Sequence, residues 1–142
     1  MLKHVFVIQK TGITLFERKF EQSIYEFKDL ITAFFSVLIV FTERSAETFG
    51  EIRELRCSSV KLLFDTSKDM QFFVVLVVDQ FDKSKPYKGV LTEIRQRFAE
   101  LYRRKKFRGR IGTYDEFRLV IDKLVKENIP DMLFDKDMEE DA

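Results

Sequence analysis

Six cations, Arg103, Arg104, Lys105, Lys106, Arg108 and Arg110, fall within eight positions around Phe107, where a helix is predicted to end. Such a run can hold phosphate, an anionic lipid surface or an acidic protein face, with each cation near a charged membrane contributing about 1 kcal/mol. Cations at a helix C-terminus also complement its negative end, which accounts for part of the cluster but needs fewer than six. A solvated helix end is the plain alternative. Gly109 and Gly112 frame a G-x-x-G of the kind that clamps a nucleotide backbone. That fold needs a strand after its second helix, whereas this chain runs on to an acidic tail that repels phosphate, so nucleic acid is disfavoured.

The residues that could do covalent or metal chemistry are sparse. His4 is the single histidine and Cys57 the single cysteine. A nucleophile needs a base beside it, yet the first is predicted at the start of a central strand and the second on an edge strand. His4 reads as a structural residue satisfied by local hydrogen bonds. No Cys/His cluster has zinc spacing, and one cysteine forms no internal disulfide, which fits a reducing cytoplasm. Asp79 with Asp82 and Asp135 with Asp137 offer carboxylates for a hard cation, but neither completes an oxygen-ligand loop, and solvated side chains are the expectation. The five glycines never form a phosphate-cradling strand-to-helix turn. The chain is therefore read as noncatalytic, with no cofactor and no metal.

These residues need a scaffold. At 142 residues, 45% hydrophobic and 35% charged, with 16 Phe for the core, the chain suits one soluble domain over 1–130. Five of the last eight residues are Asp or Glu, and 131–142 is expected to be a mobile acidic tail. The apolar blocks at 5–8 and 72–78 have no polar side, which predicts central strands covered on both faces. Residues 5–9 and 13–19 flank Lys10, Thr11 and Gly12 as a hairpin; Glu17, Arg18 and Lys19 give its second strand the charged look of an edge. A long helix is predicted over 24–46, then an edge-like strand at 51–57, strands at 60–65 and 72–78, and a helix opened by Ser84 and Pro86. Val90, Leu91, Ile94, Phe98 and Leu101 make that helix's apolar stripe. Thr113 with Glu116 is a capping-box signature for a last helix bearing Phe117, Val120, Ile121 and Leu124 and closing near Pro130. The expected fold is α+β, ordered ββαβββαα, with a five-stranded antiparallel sheet, the long helix on one face and two helices on the other.

Within the predicted long helix the apolar run 30–41 is twelve residues long, short of the ~20 that span a bilayer. The N-terminal apolar stretch is also too brief for a cleavable signal, so any membrane contact is expected to be peripheral, on the cytoplasmic side. An advance of 100° per residue sets Phe35 and Ile39 off the sheet-facing stripe, beside Thr32, Ser36 and Glu43. That gives a candidate partner-binding or homodimer surface, the plain alternative being ordinary scattered apolar residues.

The hairpin from His4 to Phe16, the Phe41-Thr-Glu-Arg helix end before Gly50-Glu-Ile-Arg-Glu-Leu, and the blocks Lys61-Leu-Leu-Phe and Phe73-Val-Val-Leu-Val-Val-Asp together resemble the longin and roadblock group of domains. The likeness covers roughly 3–124 and looks most like small archaeal longin-like proteins. It implies a noncatalytic platform of the kind used in vesicle-mediated transport, with a small GTPase or another longin/roadblock-type protein as partner. No heptad segment or membrane anchor follows the domain, which departs from the SNARE version.

Overall fold

A computed structural model describes residues 1–9, 13–20, 53–65, 72–105 and 116–129. The helix expected over 24–46, with its candidate residues Thr32, Phe35, Ile39 and Glu43, lies outside the described residues. So do Lys106, Arg108, Arg110 and the tail. Five strands, β1 (Leu2–Gln9), β2 (Thr14–Lys19), β3 (Glu54–Arg56), β4 (Val60–Asp65) and β5 (Phe72–Asp79), form one antiparallel sheet in the order β2-β1-β5-β4-β3. Two helices follow, α1 (Lys85–Lys105) and α2 (Phe117–Asn128).

The central pair is β1 with β5, registered Val5 to Leu76, Phe6 to Val75 and Val7 to Val74. Directly opposed residues share a face, so Val5, Val7, Val74 and Leu76 point to one side and Phe6, Ile8, Val75 and Val77 to the other. Every one of these eight side chains is fully buried. Both faces are thus inside, as strands without a polar side require. β1 starts three residues earlier than its apolar run suggests, because Leu2 and His4 pair with Val78 and Val77.

The Val5/Leu76 face packs against both helices. Val90, Ile94 and Phe98 of α1 and Phe117, Ile121 and Leu124 of α2 enter one core with Phe72 and Phe16. Its centre is aromatic: Phe98 meets Phe72 edge to face at 4.9 Å and Phe117 at 5.2 Å. The opposite face gathers Phe6, Ile8, Leu62, Phe64, Phe73, Val75 and Val77, joined by Leu55 and Val60. The α+β plan and the placing of the last two helices on a single sheet face follow the expected arrangement. The start of α2 differs in detail. Glu116 occupies its cap position in helical backbone geometry, while Thr113, the other half of the expected capping box, lies outside the described residues. The helix ends at Ile129, the residue before Pro130; the φ of Ile129 is −132° while its N–H still bonds the Val125 carbonyl.

Buried charges fasten the helices to the sheet. Arg18 is 4% exposed and grips Asp122 of α2 through Nε at 2.8 Å and Nη2 at 3.3 Å, while its guanidinium lies 4.5 Å from the Phe20 ring centre. The charged look of β2 therefore has a cause other than edge protection in Arg18, which faces inward with Phe16 and Phe20. On β4, the half-buried Asp65 pairs with Arg95 of α1 at 2.7 Å.

Candidate interaction surface

β3 is three residues long, and its charges alternate with Leu55, which turns into the Phe6/Val75 face. Glu54 and Arg56 share the opposite side two residues apart, and Arg56 Nε donates to Glu54 Oε2 at 3.1 Å. The strand pairs with β4 from Glu54 opposite Leu63 to Arg56 opposite Lys61, and no described strand pairs with its outer side. It is an edge, and an edge offers backbone N–H and C=O groups to another chain.

Behind this edge a polar relay ties the sheet to the start of α1. Lys61, 5% exposed, donates from Nζ to Ser84 Oγ at 3.0 Å and to the Asp82 carbonyl, and Ser84 in turn donates to Glu54 Oε1. The Ser84 hydrogen bond is the main reason the Glu54 carboxyl sits below its usual range, with Arg56 and Lys61 adding to it and partial burial opposing. The adjoining loop uses its acids inwardly as well. Asp79 Oδ1 accepts the Phe81 N–H at 3.0 Å, and Asp82 Oδ2 accepts the Met1 amino group, the Asp79 N–H and the Tyr87 hydroxyl. The expectation of solvated carboxylates at Asp79 and Asp82 is corrected by these bonds: both are half-buried structural acceptors. Among the described residues no group of three His, Cys, Asp or Glu could hold a metal ion.

Tyr87 is buried beside Asp82, and burial first, then that carboxylate, pushes its hydroxyl up to about 12. A raised folded-state value favours the neutral phenol, so this stabilisation is complete below about pH 10 and is lost as pH rises toward 12. Phenolate absorbance of the folded protein should therefore contain one late-titrating tyrosine that Tyr87→Phe removes. A titration unaltered by that substitution would contradict the assignment.

Between β3–β4 and α1 lies an open groove of about 360 Å³. Leu63, Phe64 and Leu91 supply apolar lining, and Arg53, Glu54, Asp65 and Lys88 supply charges of both signs. Such a site suits an extended peptide or a strand more than a small apolar molecule, because charged groups alternate around a narrow apolar floor. The sequence did not single out this groove, whose walls come from two elements about 30 residues apart.

The structure separates the other candidates. His4 is fully buried, its ring stacked on Phe6 at 4.2 Å and its Nε2 3.4 Å from Glu17 Oε2. Cys57 is exposed just beyond β3. Three strand spacings, about 14 Å, divide β1 from β3, so the two do not form a nucleophile and base. Of the basic segment, Arg103 is exposed in the last turn of α1, and Arg104 and Lys105 continue that helix. None of the described helices is long and apolar enough to cross a membrane.

No known family model matches the chain, and no curated protein matches it. Among solved structures it is similar to the Roadblock/LC7 domain from Streptomyces avermitilis, with a TM-score of 0.51 and 11% identity over 69% of this chain and 86% of that one. At this identity the likeness speaks to the fold alone. A sheet ordered β2-β1-β5-β4-β3 with α1 and α2 packed on one face is accordingly an α+β arrangement of the roadblock and longin type.

Proposed function

We propose that this protein is a noncatalytic protein-interaction module whose partner is a small GTPase or another domain of longin or roadblock type, a second copy of itself included. The observation that carries the reading is the edge of β3, whose outer side no described strand pairs, beside the groove under α1. Antiparallel pairing of two β3 strands about Leu55 would set Glu54 of each opposite Arg56 of the other, a complementary cross-strand match. The similarity to a Roadblock/LC7 structure supports the same reading through its fold. Phe35, Ile39, Thr32 and Glu43 remain the proposed second surface, and 103–110 the proposed contact to an anionic lipid or nucleic acid.

Affinity capture from the source organism tests this, with wild type beside Arg53→Glu/Lys88→Glu at the groove and Phe35→Asp/Ile39→Asp at the second surface. One or both variants should lose a specific protein, or lose mass by light scattering if the partner is a second copy, by tenfold or more in affinity. Both should keep the wild-type circular dichroism spectrum. Unchanged capture and unchanged mass in both variants would refute the reading. Binding that instead needs 103–110 and collapses with added salt would favour the phosphate-directed alternative.

A further inference from the structure

We infer that the turn between β5 and α1 is a membrane-contact tip that inserts Phe81 into the interface of an anionic bilayer. The inference does not depend on the protein partner proposed above, and it places lipid contact at a site remote in sequence from 103–110. Phe81 is 86% exposed, the most exposed of the large apolar side chains among the described residues. An aromatic ring held in water is costly, and a short turn could readily fold it back.

Here the turn is locked so that it does not. The Phe81 N–H bonds Asp79 Oδ1 at 3.0 Å, the Asp82 N–H bonds the Asp79 carbonyl at 3.1 Å, and the Gln80 N–H reaches across to the Ser59 carbonyl at 3.4 Å. The ring is therefore presented in advance, and little backbone freedom remains to be lost on insertion.

Charge around the tip is sorted by direction. Asp79 and Asp82 spend their carboxylates inward on backbone N–H groups, the Met1 amino group and the Tyr87 hydroxyl. Lys83, next but one to Phe81, and Lys85 at the first position of α1 are both exposed. The Met1 side chain, 46% exposed, belongs to the same end, since the Met1 carbonyl accepts the Asp79 N–H at 3.3 Å. What faces outward is one protruding ring, a smaller apolar neighbour and a rim of ammonium groups. A protein partner would need a matched hollow for a lone convex ring, whereas a fluid interface closes around it while phosphates meet the lysines.

The chain contains no tryptophan, so Phe81→Trp installs a single reporter at the tip. With vesicles of phosphatidylcholine and phosphatidylserine, its emission should move to the blue, and with phosphatidylcholine alone it should stay put. In co-sedimentation, Lys83→Gln/Lys85→Gln should lower partitioning about 25-fold, at about fivefold per cation. Phe81→Ala should lower it about tenfold. All substituted positions are solvent-exposed, and an unchanged circular dichroism spectrum verifies the fold. Indole emission from the Phe81→Trp variant that ignores anionic vesicles, or that shifts equally with soluble poly-glutamate, would overturn the inference. So would wild-type partitioning of the double lysine variant alongside its loss on neutralising 103–110.

Discussion

Replacing Arg18 by methionine is expected to lower the free energy of unfolding by about 3 kcal/mol, read as a shift in the urea midpoint at constant slope. The guanidinium is 4% exposed and its Asp122 partner 19% exposed, so the substitution leaves a carboxylate that retains some water. That places the cost at the low end for a broken buried pair. Methionine keeps most of the side-chain volume over Phe20, so the loss reports the ion pair more than a cavity. A cycle with Asp122→Asn should give a coupling energy above about 1 kcal/mol, because the two residues form a two-point contact from β2 to α2. Additive effects would mean that α2 is held by its apolar face alone.

The largest expected loss comes from Phe98→Ala, at about 3–5 kcal/mol. Phe98 is fully buried, and its ring joins Phe72 of β5, Tyr102 of the next turn and Phe117 of α2, so one deletion opens the seam where the sheet and both helices meet. Phe98→Leu should recover more than half of the loss by refilling part of the volume. A calorimetric or chemical unfolding curve settles it; an effect under about 1 kcal/mol would show that the seam collapses around the gap.

These two residues differ in how far the sequence announces them. Phe98 belongs to the stripe with Val90, Leu91, Ile94 and Leu101, and all five are buried as the helical spacing implies. The same holds for Phe117, Ile121 and Leu124, and for the strand cores of β4 and β5. Arg18 and Lys61 gave no such sign. Their partners lie 104 and 21 positions away, and a cation in a strand reads as an edge or a wet face until a tertiary neighbour is known. Period-two spacing does set Arg18 between Phe16 and Phe20, the one local hint that it points inward. The groove was illegible for a similar reason, because β3 and α1 contribute to it from separate stretches of chain.

The pairing of β1 with β5 bears on how the molecule comes into being. Val5 waits for Leu76, roughly 70 positions later, before its ladder is complete. At ribosomal speeds of about 5–20 residues per second, the nascent amino-terminal hairpin spends seconds without that neighbour. During that interval a strand apolar on two sides is presented to the cell, and chaperone capture of the growing chain is the natural counterpart of a sheet whose middle is finished so late.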